Sequence, residues 1–203
     1  MIKKIVQDYL DILLVSFLWV SSVMAEENAD EKSAVAIFAG GCFWCMEPPF
    51  DVLPGVISTI SGYTGGHTEI PTYKEVSNGK TGHLEAVQVI YDPAKVSYGK
   101  LLEVFWHNID PFDDRGQFCD KGDQYKAAIF YQDEQEKRLA EASKADLKTK
   151  FPAEATVTSI RPAEKFFPAE KYHQDYYLNN TNRYKFYRFT CGRDQRLSQV
   201  WGE

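Results

Sequence analysis

The chain is poor in cysteine, with four in 203 residues at positions 42, 45, 119 and 191. They form a single CxxC pair, whereas a structural zinc site normally needs a second close pair. The histidines His67, His83, His107 and His173 have no metal-ligand spacing, so a bound metal is not indicated. Basic charge is also scarce: 23 Lys and Arg against 29 Asp and Glu leave a net charge of -6 with no basic cluster. That excludes the usual electrostatic footprint of a nucleic-acid or anionic-membrane binder. There is no internal repeat and no low-complexity linker, and GYTGGH at residues 62–67 lacks the lysine and spacing of a phosphate-binding loop.

No apolar run reaches the roughly 20 residues of a comfortable membrane span. The run ILLVSFLWV follows Lys3 and Lys4 and is followed by small residues ending at Ala25. This is the layout of a secretory signal peptide over residues 1–25, with an uncleaved anchor as the alternative because Asp8 and Asp11 are unusual neighbours for it. No cysteine follows Ala25 directly, so a lipid-modified terminus is not indicated. Export, periplasmic or secreted, places the chain where disulfides persist. Residues 26–33 read as a mobile acidic segment and 34–203 as one domain, expected to be a monomer.

What is present is apolar surface: 44% hydrophobic and 14% aromatic residues can fill one core without covalent staples. Cysteine chemistry therefore stands beside structural disulfides as a use for the four thiols. AVAIFAG at 34–40 reads as a buried strand ended by glycines, with a helix starting near Cys42 and a break or restart expected at Pro48 and Pro49. VISTISGY, HLEAVQVIYD, KAAIFY and ATVTSI read as strands. VSYGKLLEVFWHN, capped by Ser97, and DEQEKRLAEASKADLKTKF read as helices. TGGHTEIPTYKEVSNGKTGH and DPFDDRGQFCDKGDQY read as long loops. The order predicts an α+β two-layer sandwich, a mixed sheet with packed helices. The aromatic C-terminal stretch shows no clear period and reads as an irregular tail wrapping over the domain.

Cys42, at a strand-to-helix junction, faces unpaired N–H groups that favour a nucleophilic thiolate; the alternative is an inert buried cysteine. Phe43 and Trp44 can flank the space before its sulfur, or be core. Strand alternation puts Glu85 on one face with Val87, Val89 and Tyr91, in a strand apolar on both sides. A carboxyl desolvated there keeps its proton near neutrality; the alternative is a carboxylate at the strand end that reaches solvent or a backbone partner. Tyr73 and Tyr125 lie in or beside the long loops, where a hydroxyl can orient a polar substrate atom, and Asp120 can position a substrate or serve as a turn residue.

Taken together, GCFWCMEPPF, SGYTGGHTEIPTYKEV, TGHLEAVQVIYDP and CDKGDQYKAAIF resemble, in order and spacing, the A-type peptide methionine sulfoxide reductases, from about Ala34 to Tyr177. The resemblance implies a ferredoxin-like core and Cys42 as nucleophile. It implies Phe43 and Trp44 as the pocket for the sulfoxide methyl group, Glu85 as the acid assisted by Tyr73 and Tyr125, and Asp120 as a loop aspartate of the site. It further implies action on the S epimer, free or in proteins, and recycling by a thioredoxin-like dithiol, with no metal or organic cofactor.

Three positions depart from the commoner pattern: Cys45 where glycine is usual, Cys119 where asparagine is usual, and FTCGRDQRLSQVWGE in place of a glycine-rich tail. The candidates for the resolving thiol are Cys191 first, on a tail able to swing over the site, then Cys45, then Cys119, with direct reduction of Cys42 by an external thiol as the alternative. The rival functions are an exported thiol-disulfide oxidoreductase using Cys42 and Cys45, and a binding domain with two structural disulfides.

Overall fold

The computed structural model describes residues 33–202; the expected signal segment and the acidic stretch up to residue 32 lie outside them. Strand β1 (Ala34–Ala39) leads through Gly40 and Gly41 into helix α1 (Phe43–Asp51). Strand β2 (Val56–Thr64), the short helix α2 (Tyr73–Ser77), β3 (Leu84–Tyr91) and helix α3 (Tyr98–His107) follow. A small hairpin, β4 (Gly116–Gln117) and β5 (Asp120–Lys121), precedes β6 (Ala128–Tyr131) and helix α4 (Glu134–Lys150). The chain then forms β7 (Ser159–Pro162), β8 (Phe167–Pro168) and three terminal helices, α5 (Tyr176–Asn179), α6 (Thr181–Thr190) and α7 (Arg193–Trp201).

The main sheet has the order β7-β6-β1-β3-β2-β8, antiparallel throughout except for the parallel β6–β7 pair. Its centre, β6-β1-β3-β2 with α1 and α3 as crossovers, is the ferredoxin-like arrangement, so the α+β expectation is met. The helices cover one face, where fully buried Phe38 stacks on Phe50 at 5.3 Å and on Phe105 at 5.2 Å. Each such side chain contributes about 1.5–3 kcal/mol by leaving water. On the other face Ile37, Ala39, Leu84, Ala86, Ala128 and Phe130 form a second cluster under Ala163 and Phe166. Ser97 caps α3 by accepting from Lys100 N–H, and Asp133 caps α4 by accepting from Gln135 and Glu136 N–H.

Several local expectations change. Helix α1 runs through Pro48 and Pro49 to Asp51 instead of breaking. The prolines lack the N–H groups that would meet the Trp44 and Cys45 carbonyls, but Phe43, Met46 and Phe50, spaced i, i+3 and i+7, anchor one side of the helix in the core. The first long loop contains α2, started by a capping box in which Thr72 and Glu75 satisfy each other's backbone N–H groups. The second contains the β4–β5 hairpin and a single 3-10 turn at Asp123–Tyr125. Strand β7 starts at Ser159, later than ATVTSI suggests, because its pairing with β6 begins at Ala128↔Ser159.

The tail does wrap the domain, but as helices, not irregular chain. Only Tyr184 of α6 and Arg193 and Trp201 of α7 are buried, so three anchors hold two helices that carry no continuous apolar stripe. Trp201 Nε1 donates to Ile109 O at 3.1 Å, and the whole Arg193 side chain is inside. Among the described residues no helix is long and apolar enough to cross a membrane.

Candidate active site

The turn from β1 into α1 builds the site. Gly41 has φ +82°, a left-handed backbone that glycine takes without strain, and a Cβ on Gly40 would lie 2.6 Å from Met46 Sδ. This tight passage leaves Cys42 as the residue capping α1 and points Phe43 N–H at Glu85 of β3, whose Oε2 accepts it at 3.1 Å. Alternation along β3 does send Glu85 to the helix-covered face with Val87, Val89 and Tyr91.

One cavity of about 60 Å³ is lined by Cys42, Phe43, Trp44, Tyr73, Glu85, Asp120 and Tyr125, with Tyr187 as its eighth residue. The first seven come from five separate segments, and all were singled out in the sequence; Tyr187 was not. Phe43 is fully buried against Tyr63, Tyr73 and His173. Trp44 lies parallel to Tyr176 with centroids 3.7 Å apart, donates from Nε1 to His173 Nδ1 at 3.0 Å, and meets Tyr187 edge-on. Burial holds His173 below the usual histidine range, so it stays a neutral acceptor that fixes the indole. Tyr176 and His173, like Tyr187, were missed: their signal lay in an aromatic tail with no visible period. A larger hollow of about 610 Å³ lies between α4 and the segment before β7, but its lining includes no cysteine and none of these residues.

The electrostatics partly reverse the sequence-based expectation for Cys42. Burial pushes its thiol well above the usual cysteine value, reinforced by a hydrogen bond to Cys45 and by the acidic groups Glu85 and Asp120. The helix start does not outweigh this, because Cys42 is only 6% exposed and lies near two carboxyls. Cys45 moves oppositely, down to about 6: the hydrogen bond with Cys42 is the main cause, opposed by burial and helped by Arg193 and Arg188. The Cys42 proton is therefore held more tightly than that of Cys45. Glu85 is raised to about 8, mainly by burial, with the Phe43 N–H opposing and Asp120 adding to the rise. Its carboxyl is protonated at neutral pH. Tyr73 is pushed up to about 12 by burial, and burial raises Tyr125 and Asp120 as well.

The four cysteines divide cleanly. Cys42 and Cys45 are free and buried, and Cys119 is bonded to Cys191 with their Cα atoms 4.9 Å apart. Of the three resolving candidates, two are therefore joined to each other, and Cys45 is the free cysteine three residues along the chain from Cys42. Cys119, Asp120 and Cys191 also offer ligand atoms within 4.8 Å of one another, but the two sulfurs already share a bond. Arg193 lies under the site: its Nη2 donates to Gly40 O at 3.1 Å and Asn108 O at 2.6 Å, and the guanidinium stacks 4.4 Å from Phe118.

A buried thiol pair facing a carboxyl that retains its proton, on a ferredoxin-like sheet, defines a cysteine-dependent oxidoreductase. A family model described as "Peptide methionine sulfoxide reductase" matches residues 34–203. The Bacillus licheniformis protein named peptide methionine sulfoxide reductase MsrA is 51% identical over 173 residues, covering 85% of this chain and 96% of that one. The MsrA of Bacillus subtilis is 52% identical, covering 85% and 98%. Among solved structures, reduced Mxr1 of Saccharomyces cerevisiae is similar with a TM-score of 0.70 and 28% identity, covering 75% of this chain and 88% of that one. The chain belongs to the peptide methionine sulfoxide reductase family and is an enzyme that reduces methionine sulfoxide.

Proposed function

We propose that this enzyme reduces the S epimer of methionine sulfoxide, free or in proteins, with Cys42 as nucleophile, Glu85 as acid and Cys45 as the resolving thiol. The observation that carries the reading is Glu85: a carboxyl raised to about 8, held by Phe43 N–H in the same small cavity as the Cys42 sulfur. A sulfoxide sulfur is a poor electrophile until its oxygen is protonated, and Glu85 supplies that proton. Phe43 and Trp44 form the apolar wall for the methyl group, while Tyr73 and Tyr125 hold the oxygen.

The protons balance within the site. As Cys42 attacks, its proton passes to the Cys45 thiolate and the Glu85 proton goes to the sulfoxide oxygen. Methionine leaves, Cys42 becomes a sulfenic acid, and Glu85 becomes a carboxylate. Cys45 then attacks the sulfenic sulfur, the S–O bond breaks, and the oxygen departs as water as the Cys42–Cys45 disulfide forms. An external dithiol of the thioredoxin type returns both thiols by exchange. A protein disulfide oxidoreductase acting through the same pair would leave the neutral Glu85 and the aromatic pocket without a task.

Separated S and R epimers of a methionine sulfoxide peptide, given to the purified protein with a dithiol reductant, test the reading. Methionine is expected from the S peptide alone; release from the R peptide instead, or from neither, refutes it.

A further inference from the structure

Tyr187 lines the cavity although nothing in the sequence marked it. It projects from the tail helix α6, and its hydroxyl donates to Asp120 Oδ2 at 2.5 Å while its side chain lines the same cavity as Cys42. The ring meets the Trp44 indole edge-on, with centroids 5.9 Å apart and planes at 82°. One turn later on the same helix, Cys191 N–H donates to Tyr187 O at 2.9 Å, and Cys191 is bonded to Cys119 beside Asp120. The crosslink thus fixes the helix turn that carries Tyr187, and it does so from the residue adjoining the tyrosine's own carboxylate partner.

We propose that Tyr187 is a further catalytic residue of the sulfoxide reduction, its hydroxyl hydrogen moving from Asp120 to the Cys42 sulfur as negative charge develops there, and that the Cys119–Cys191 crosslink holds it in place. The proposal rests on the reductase reading above. The groups facing Cys42 are Cys45 on its own helix, Glu85 from β3, Asp120 from β5, and the hydroxyls of Tyr73, Tyr125 and Tyr187. Glu85 and Asp120 oppose a charge on the sulfur, and Arg193 acts on Cys45 and Asp120. Glu85 has its proton committed to the substrate oxygen. Of the three tyrosines, Tyr187 is the one bonded to Asp120, so in the shared cavity it sits against the carboxylate that would otherwise repel the charge. Burial and the nearby acidic groups raise the phenol far above its usual range, so it stays protonated and changes only its acceptor.

The experiment is Tyr187→Phe, which keeps the ring against Trp44 and removes only the hydroxyl. Single-turnover reduction of the sulfoxide peptide is expected to slow about ten- to hundredfold, the loss of one hydrogen bond to a charged group, with the half-saturating peptide concentration unchanged. The pH midpoint for alkylation of Cys42, followed by peptide mass spectrometry, should move upward, because the thiolate has lost a donor. An unchanged rate, or a slower rate with an unmoved alkylation midpoint, overturns the proposal. Wild-type protein failing to reduce the peptide would refute the reductase reading instead, and the alkylation midpoint would still test the contact between Tyr187 and Cys42.

Discussion

Cys42 and Cys45 lie three residues apart at the start of a buried helix with both sulfurs free, while Cys119 and Cys191 are separated by 72 residues and bonded at the surface. The inner pair is shielded from water, so its protons are governed by neighbours: Cys42 holds its proton more tightly than Cys45, and buried Glu85 keeps one as well. The outer pair ties a hairpin to a tail helix, with exposed Cys119 at its edge. Burial and charge therefore assign different tasks to chemically identical side chains, reactivity to one pair and placement to the other.

The largest expected effect breaks the outer half of this comparison. Replacing both outer cysteines, Cys119→Ser with Cys191→Ser, opens a loop of 72 residues and should lower the unfolding free energy by about 4 kcal/mol in a urea titration. An unchanged midpoint would mean that Arg193 and Trp201 hold the tail without the crosslink. Next, Glu85→Gln should slow single-turnover reduction by at least about a hundredfold. The acid works only while neutral, and it titrates at about 8, so the wild-type rate should fall as pH rises through that value; glutamine cannot titrate, and the falling limb should vanish. A variant as fast as wild type would remove Glu85 from the mechanism. The smallest effect sharpens the inner half: Cys45→Ser should release about one equivalent of methionine and then turn over roughly tenfold more slowly with a dithiol reductant. Finding Cys42 bonded to Cys191 after one wild-type turnover, by peptide mapping, would transfer the resolving role to the tail.

Much of this was legible in the residue order. The four central strands and the helices α3 and α4 follow from local apolar runs and patterning, and Ser97 caps α3 within a few residues of its own position. The seven expected residues meet in one cavity because the motifs carrying them sit at strand ends and in the loops beside them. The remainder depends on contacts distant in sequence. The shift of the Cys42 thiol reflects how completely the chain covers it, which no local window records. Four cysteines allow three pairings, and only the fold brings residues 119 and 191 together. Tyr187 was hidden because α6 exposes Phe186 and Phe189 and buries little besides Tyr184, so its sequence has no apolar stripe. The prolines of α1 misled because a helix anchored by Phe43, Met46 and Phe50 tolerates two missing backbone donors near its end.

Met46 is the one methionine among the described residues, four positions past Cys42 and wholly buried. Its sulfur rests 3.0 Å from Arg193 Nη2 and fills the room that Gly40 leaves by lacking a side chain. An oxygen atom added to that sulfur would have to displace a guanidinium locked to two backbone carbonyls. Among the described residues the domain therefore offers no exposed methionine, so an enzyme that reduces methionine sulfoxide carries no accessible substrate side chain there.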